Sequence, residues 1–312
     1  MLTAIRNSLF YFMKPMIPRF IQLALRRKLV QKQRLIYRDI WPIDKNSGCA
    51  PENWPGWPDG KQFALVLTHD VDTEKGQERC RELATLEQQL DFRSSFYFVP
   101  RRYNVSNELR DYLTSHGFEV GVHDLYHDGK LYKSKKVFQS RARAINEYLR
   151  EWKAVGFRSG AMHHNLDWIK ELDVLYDAST FDTDPFEPQP DGMHTIFPFY
   201  VPRNELQSGY VELPYTLPQD FTVFILMQEP GIDIWKNKLN WIAEHGGMAL
   251  VIVHPDYMHF GKTKGSIQEY PAELYTAFLE FVASAFKNRY WNVPARDLAK
   301  WWCGHFEKLS KL

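Results

Sequence analysis

The ten-residue stretch FALVLTHDVD, at residues 63–72, decides the fold of this chain. Its first five residues are apolar, a pattern that is typical of a strand buried on both faces. A charged segment with helical character follows from about residue 76 to residue 90, and a second run, SSFYFV, occupies residues 94–99. A buried strand, a helix and another buried strand in this order predict parallel pairing of the two strands.

The alternation of apolar runs and helical segments continues toward the C-terminus. Residues 118–123 predict a third strand, residues 134–153 predict an amphipathic helix, and a short strand is expected to lead to Arg158. The run MALVIV, at residues 248–253, predicts a late strand. Residues 181–220 are rich in Pro and aromatic residues and are expected to form hairpins and loops. The whole pattern predicts an α/β fold around a parallel sheet.

Basic residues are concentrated at the N-terminus. Residues 1–38 contain nine Lys or Arg and no Asp or Glu, so of the chain's 39 basic and 38 acidic residues the remainder holds 30 and 38. Residues 1–40 are therefore expected to form a basic amphipathic arm, helical only in pieces because of Pro15 and Pro18. Such an arm either makes peripheral contact with an anionic membrane surface or packs on its own domain or on a partner subunit.

Composition divides the rest of the chain into two parts. Residues 41–61 are rich in Pro, Gly and Trp and predict an irregular lead-in whose Trp residues dock on the body of the protein. Residues 62–312 are expected to form the main domain. The net charge of +1 argues against a nucleic-acid partner.

The location of the protein is predicted from what the sequence lacks. Its three cysteines form no CxxC motif, which favours a reducing compartment. No apolar run approaches the roughly 18 residues of a spanning helix, and no small-residue cleavage site follows the N-terminal apolar residues. We therefore expect a cytoplasmic protein that is peripheral on the inner face of the membrane if the arm binds lipid.

Titratable residues stand where four of the predicted strands end. They are Asp70 and Asp72 after the first strand, His123 and His127 at the third, Arg158 at the fourth, and His254 after the late strand. Ligands bind and catalysis occurs at the carboxyl ends of the strands in α/β folds. We therefore expect these six side chains to share one site.

The histidines and aspartates of this set are the residue types of a catalytic metal site. His123 and His127 are four residues apart, so both imidazoles can point the same way from a helical turn and meet one metal ion. One carboxylate would complete a set of two His and one acid that leaves positions open for water and substrate. Asp70 and Asp72 share a strand face, so one can bind the metal while the other accepts a proton.

The ordered motifs resemble those of the polysaccharide deacetylases, which are carbohydrate esterase family 4 and carry the nodulation-factor deacetylase homology domain. The resemblance extends over roughly residues 61–300. It rests on LTHDVD at residues 67–72, HDLYH at 123–127, GFRSG at 156–160 and LVIVH at 250–254. It implies an irregular (β/α) barrel of about seven parallel strands and a metal-dependent hydrolase that acts on amide bonds.

The resemblance also implies a role for each residue of the set. Asp70 would be the general base, Arg158 would orient it, and His254 would be the general acid. Asp72, His123 and His127 would bind a divalent metal ion, expected to be Zn²⁺. Amide hydrolysis needs these parts, because it requires an activated water, a polarised carbonyl and a proton for the leaving amine.

The sequence departs from the pattern of the family at two places. Gly160 stands where the third motif usually has Pro, and the family's fourth motif, Asp-x-Trp, is missing from the region in which it is expected. Asp177 and Asp182 lie in the region of the missing motif, and the choice between them as the support of His254 stays open. Neither departure affects the predicted metal ligands.

The sequence predicts a class of substrate and leaves two alternative functions open. The aromatic content of 15% and the basic arm favour an N-acetylated sugar of a cell-envelope or surface polysaccharide, or its lipid-linked glycolipid precursor. The Asp70-Val71-Asp72 stretch also fits the DxD metal clamp of a glycosyltransferase. That function leaves the HDLYH motif at residues 123–127, Arg158 and His254 without a role. An inactive carbohydrate-binding barrel is the third possibility. The oligomeric state is not predicted.

Overall fold

The computed structural model describes residues 18–203, 209–261 and 265–306. The part of the predicted arm at residues 1–17 lies outside the described residues. The described residues contain eleven strands. They are β1 (Phe63–Val71), β2 (Ser94–Phe98), β3 (Glu119–His123), β4 (Gly156–Arg158), β5 (Tyr176–Asp177), β6 (Phe199–Val201), β7 (Tyr210–Glu212), β8 (Met248–Val253), β9 (Met258–His259), β10 (Tyr270–Pro271) and β11 (Tyr290–Asn292).

Eight α-helices lie in the same part of the chain. They are α1 (Arg19–Ile36), α2 (Glu74–Gln89), α3 (Asn107–Ser115), α4 (Lys135–Trp152), α5 (Leu166–Ile169), α6 (Asp233–His245), α7 (Ala272–Ala285) and α8 (Ala295–Phe306). A π-helix spans Phe221–Leu226. Helices α2 to α5 each begin at a side chain that accepts a hydrogen bond from a helix N–H, namely Thr73, Ser106, Ser134 and Asn165.

The main sheet is parallel and curls into a barrel. Neighbouring strands follow the order β8, β1, β2, β3, β4, β5 and β7, and every pair among them is parallel. Leu217, just after β7, makes a parallel bridge to Val251 in β8, which brings the sheet back to its first strand. With β11, which pairs in parallel with β1, eight parallel strands of the described chain belong to this sheet, and the predicted irregular (β/α) barrel is confirmed.

The strands at the centre of the barrel are buried along their whole length. All nine residues of β1 and all six of β8 are buried. This is why their sequences are apolar almost without interruption instead of alternating. The hairpin predicted within residues 181–220 is present as the antiparallel pair β6 and β7. However, β7 is also a member of the barrel, which the prediction of loops in this region did not include.

The Trp-rich segment before the barrel packs on the C-terminal part of the chain. The rings of Trp54 and Trp57 meet at 4.7 Å between centroids. The ring of Trp57 lies 5.4 Å from Trp301 and 6.0 Å from Trp291. These contacts hold residues 41–61 against α8 and β11.

In the described part of the N-terminal arm a helix begins directly after Pro18, and the prediction that residues 1–40 are helical only in pieces stays a prediction because Pro15 lies outside the described residues. Pro18 is the N-cap of α1, which runs without a break over 18 residues. Proline is tolerated there because the first N–H groups of a helix have no partner within it. Arg27 of this helix donates from Nε to the carbonyl of Ile225 at 2.9 Å, so α1 lies against the π-helix.

Candidate active site

Asp72, His123 and His127 form a group that could hold a metal ion. Their candidate ligand atoms all lie within 4.8 Å of one another. Nε2 of His123 lies 3.4 Å from Oδ1 of Asp72, and Nε2 of His127 lies 3.2 Å from the same oxygen. Within the described ranges, this buried oxygen has no hydrogen-bond partner. A buried carboxylate oxygen that faces two imidazole nitrogens without a hydrogen bond fits a divalent cation.

A backbone carbonyl orients the ring of His123. Nδ1 of His123 lies 3.0 Å from the carbonyl oxygen of Arg158, to which it donates. The lone pair of the ring is therefore on Nε2, the nitrogen that faces Asp72. Burial alone would raise the pKa of Asp72, but the neighbouring imidazoles, that of His127 first and then that of His123, outweigh burial and hold the pKa well below its usual range. The carboxylate is thus ionised and able to bind a cation.

The second histidine does not sit on a helical turn, contrary to the prediction for HDLYH. Asp124 and His127 both take left-handed backbone angles, with φ of 53° and 52°. Nδ1 of His127 accepts a hydrogen bond from Nη1 of Arg102 at 2.9 Å. A guanidinium only donates, so the ring proton is on Nε2 in this arrangement. Metal binding through Nε2 requires the proton on Nδ1, and Arg102 must then leave that nitrogen.

Asp70 lies beside the three candidate ligands in a buried ion pair. Nη1 of Arg158 donates to Oδ1 of Asp70 at 2.8 Å and to the hydroxyl of Thr68 at 2.9 Å. The guanidinium is fully buried and lies 4.6 Å above the ring of Tyr97. Burial favours the neutral acid, but the charge of Arg158 outweighs it and lowers the pKa of Asp70. The other oxygen, Oδ2, lies 3.7 Å from Nε2 of His123.

The acid that supports His254 is Asp220, and neither of the two aspartates considered from the sequence. Oδ1 of Asp220 accepts from Nδ1 of His254 at 2.7 Å, and Oδ2 accepts from the backbone N–H of His254 at 2.7 Å. Asp177 instead accepts from the hydroxyl of Ser179, and Asp182 pairs with Lys238. Asp220 comes three residues after Leu217, whose isolated parallel bridge to Val251 of β8 brings this segment to the same edge of the barrel. The rule that identified the other site residues would have identified Asp220, had this bridge been predicted.

The charge of Asp220 controls the protonation of His254. Burial by itself would lower the pKa of His254, but the charge of Asp220 and its hydrogen bond outweigh burial and raise the pKa to about 10. A bound metal ion would bring this value down, because its positive charge repels the imidazolium. His254 is therefore protonated at neutral pH in the metal-free protein.

Asp220→Asn should lower the pKa of His254 in the metal-free protein well below about 10, because the largest charge that opposes burial is removed and only the weaker effects of Asp72 and Asp70 remain. In the wild type, protonation of His254 stabilises the fold fully below pH 6.5, and this contribution is lost as pH rises through about 10. Titration of the imidazole by NMR measures the pKa directly. The matched variant Asp177→Asn should leave it unchanged, and an equal shift in both variants would contradict the assignment.

Asp256 holds the loop that carries Asp72. Its carboxylate accepts from the backbone N–H of Asp72 at 2.9 Å and from the hydroxyl of Thr73 at 2.5 Å. Burial and the neighbouring charge of Asp72 raise the pKa of Asp256 to about 6. A Cβ atom at Gly76 would lie 2.1 Å from Oδ2 of Asp256, so the first turn of α2 approaches this carboxylate as closely as a glycine permits.

Comparisons with known proteins identify the fold. No protein-family model and no curated protein matches the chain. Among solved structures, a protein described as a polysaccharide deacetylase of Mycobacterium smegmatis is 18% identical, with a TM-score of 0.62 over 80% of this chain and 93% of that one. A second so described, of Pseudomonas aeruginosa PAO1, is 16% identical, with a TM-score of 0.61 over 81% and 96%. The Puue allantoinase is also 16% identical, with a TM-score of 0.61 over 81% and 95%.

Proposed function

We propose that this chain, which has the fold of the polysaccharide deacetylases, is a metal-dependent hydrolase that removes the acetyl group from an N-acetylated sugar. One observation carries the proposal. The orphaned carboxylate oxygen of Asp72 faces the two imidazoles, and the Asp70–Arg158 and His254–Asp220 pairs belong to the same end of the barrel. A metal set, a base and an acid are the parts that amide hydrolysis requires.

Asp72, His123 and His127 would hold the ion, which we propose to be Zn²⁺. A bound Zn²⁺ supplies Lewis acidity, which lowers the pKa of a water molecule toward about 7 and polarises the acetyl carbonyl. Two imidazoles and one carboxylate leave ligand positions for water and substrate, as in catalytic rather than structural sites. Nδ1 of His123, anchored on the Arg158 carbonyl, keeps its ring in the required orientation.

Asp70 would accept the proton of the attacking water. Oδ1 is already occupied by Arg158, so Oδ2, on the side of His123, is the atom that takes the proton. Arg158 also donates from Nε to the carbonyl of Ala178 at 2.8 Å, so the guanidinium is fixed at both ends. A fixed guanidinium holds the carboxylate in place while the reaction proceeds.

His254 would donate a proton to the leaving amine. Its Nδ1 is bound to Asp220, so Nε2 is the atom from which the proton leaves. The hydroxyl of Tyr270 donates to the other oxygen of Asp220 at 3.0 Å and helps to fix the carboxylate. The pair therefore keeps a protonated imidazole available at the pH of the cytoplasm, which is where we propose that the enzyme acts.

The substrate is proposed to be a glycan of the cell envelope or cell surface, or its lipid-linked precursor. Aromatic rings extend from the acid: the ring of Tyr257 lies 5.0 Å from His254, and that of Phe221 lies 4.9 Å from Tyr257. Flat apolar rings of this kind pack well against sugar faces. The glycosyltransferase alternative is not favoured, because Arg158 engages the carboxylate of Asp70 that a DxD clamp would need.

The metal content of the purified protein tests the proposal. We expect about one divalent ion per chain in the wild type and almost none in His123→Ala/His127→Ala, because removing two of three ligands abolishes tight binding. Elemental mass spectrometry gives the ratio. The control variant His245→Ala/His305→Ala removes two exposed histidines elsewhere and should keep its ion. If the wild type binds no ion even after reconstitution with Zn²⁺, the hydrolase mechanism is wrong.

A further inference from the structure

Exposed apolar side chains are concentrated on and beside the N-terminal helix. Of the nine large hydrophobic residues that are exposed in the described ranges, seven lie between residues 20 and 40. They are Phe20, Ile21, Leu25, Leu29, Leu35, Ile36 and Ile40, with exposed fractions between 39% and 74%. An eighth, Ile267, lies beside them, because Nη2 of Arg27 donates to its carbonyl at 3.1 Å. A patch of this kind marks an interaction site.

The exposed residues form a stripe along one face of α1. Ile21, Leu25 and Leu29 follow one another at intervals of four residues, and Ile36 continues the line two turns later. The opposite face is buried through Leu23 and Val30. The helix is thus apolar on two sides, and packing on the barrel uses only one of them.

Charge decides which partner fits the outer face. Lys28 and Lys32 lie within the stripe and are exposed, and residues 1–38 contain no acid. A second copy of the same face would bring these lysines together, which opposes self-association. An anionic lipid surface accepts both features, since apolar side chains enter the acyl boundary while lysines reach the head groups.

We propose that the outer face of α1 binds the surface of a bilayer that contains anionic phospholipids. The helix would lie in the plane of the interface, since no helix of the described chain is long and apolar enough to span a membrane. Each exposed apolar residue makes the free energy of membrane binding more favourable when it leaves water for the bilayer. Each lysine adds electrostatic attraction to the negative surface.

The helix is joined to the wall of the candidate site. The guanidinium of Arg26 lies 5.0 Å above the ring of Phe221, which contacts Tyr257, the neighbour of His254. Arg27 anchors the helix on the π-helix that directly follows Asp220. A bilayer bound to α1 would hold the catalytic edge near lipid head groups. If the proposed function is right, on which this step rests, the substrate is an N-acetylated sugar on a lipid carrier.

Flotation of the full-length protein with vesicles tests the proposal. We expect binding to vesicles of phosphatidylcholine with 30% phosphatidylglycerol, on the order of tenfold or more above binding to pure phosphatidylcholine. Leu25→Gln/Leu29→Gln/Ile36→Gln should lower the partition coefficient at least about tenfold. All three residues are half or more exposed, so the variant should keep the circular dichroism and melting temperature of the wild type.

Charge reversal on two helices gives the matched control. Lys28→Glu/Lys32→Glu should lower binding to the anionic vesicles at least about tenfold. Lys135→Glu/Lys136→Glu makes the same change on α4 and should not alter it. Binding that all these variants share with the wild type would overturn the proposal. A second result would also overturn it. In that case the wild type is a dimer that does not bind vesicles, and the triple glutamine variant is a monomer. The vesicles contain no sugar, so failure of deacetylase activity would leave this result unaffected.

Discussion

Asp70→Asn should reduce the rate of acetate release from an N-acetyl glycan about 10²–10⁴-fold, the usual contribution of a positioned general base. Asparagine keeps an oxygen that can accept from Arg158, so the buried guanidinium retains its partner. What is lost is the basic Oδ2 on the side of His123. Steady-state kinetics at saturating substrate measure the effect on kcat.

The metal content of Asp70→Asn separates a base from a ligand. We expect the variant to keep about one ion per chain, since the predicted ligands are Asp72, His123 and His127. Asp128→Asn, which alters a partly exposed ion pair with Arg141, serves as the control and should retain full activity. A variant at position 70 that loses its ion would show that Asp70 is a ligand. A rate within tenfold of the wild type would show that it is not the base.

His254→Gln should reduce amide hydrolysis by about 10²–10⁴-fold as well, but only for substrates whose leaving group needs a proton. An amine cannot leave as an anion at neutral pH, whereas 4-nitrophenolate can. Hydrolysis of 4-nitrophenyl acetate should therefore fall less than about tenfold in this variant. The ratio of the two losses is the measurement, because general disruption of the site would lower both rates alike.

Two further variants complete the comparison of amide and ester hydrolysis. Asp220→Asn should show the same selectivity as His254→Gln but a smaller loss at acidic pH, where an imidazole of lowered pKa is still protonated in part. Tyr257→Phe keeps the ring beside His254 and should leave both rates close to those of the wild type. Equal losses on amide and ester in His254→Gln would exclude the role of a general acid.

The sequence predicted the part of the fold that is recorded in continuous apolar runs. The strands β1 and β8 are long and buried throughout, so their residues identify them without knowledge of their neighbours. The titratable residues at their ends could then be assigned to one edge. In contrast, β7 has three residues and its place in the barrel depends on partners far away in the chain, including the bridge from Leu217 to Val251. Asp220 was missed for that reason.

One local prediction was wrong because backbone geometry overrode spacing. The interval of four residues between His123 and His127 suggested a helical turn, but the chain turns there through left-handed residues that spacing does not reveal. The two residues were identified as neighbours in the site, and their backbone conformation was not.

The contact between Asp256 and the first turn of α2 has a consequence for natural variation among related chains. The carboxylate occupies the space where a side chain at position 76 would begin, and it supports the N–H of Asp72. A larger residue at position 76 is compatible only with a smaller one at position 256, and the loop of Asp72 would then lose its support. Positions 76 and 256 should therefore covary in an alignment of homologues, and Gly76 paired with Asp256 should accompany an intact metal triad.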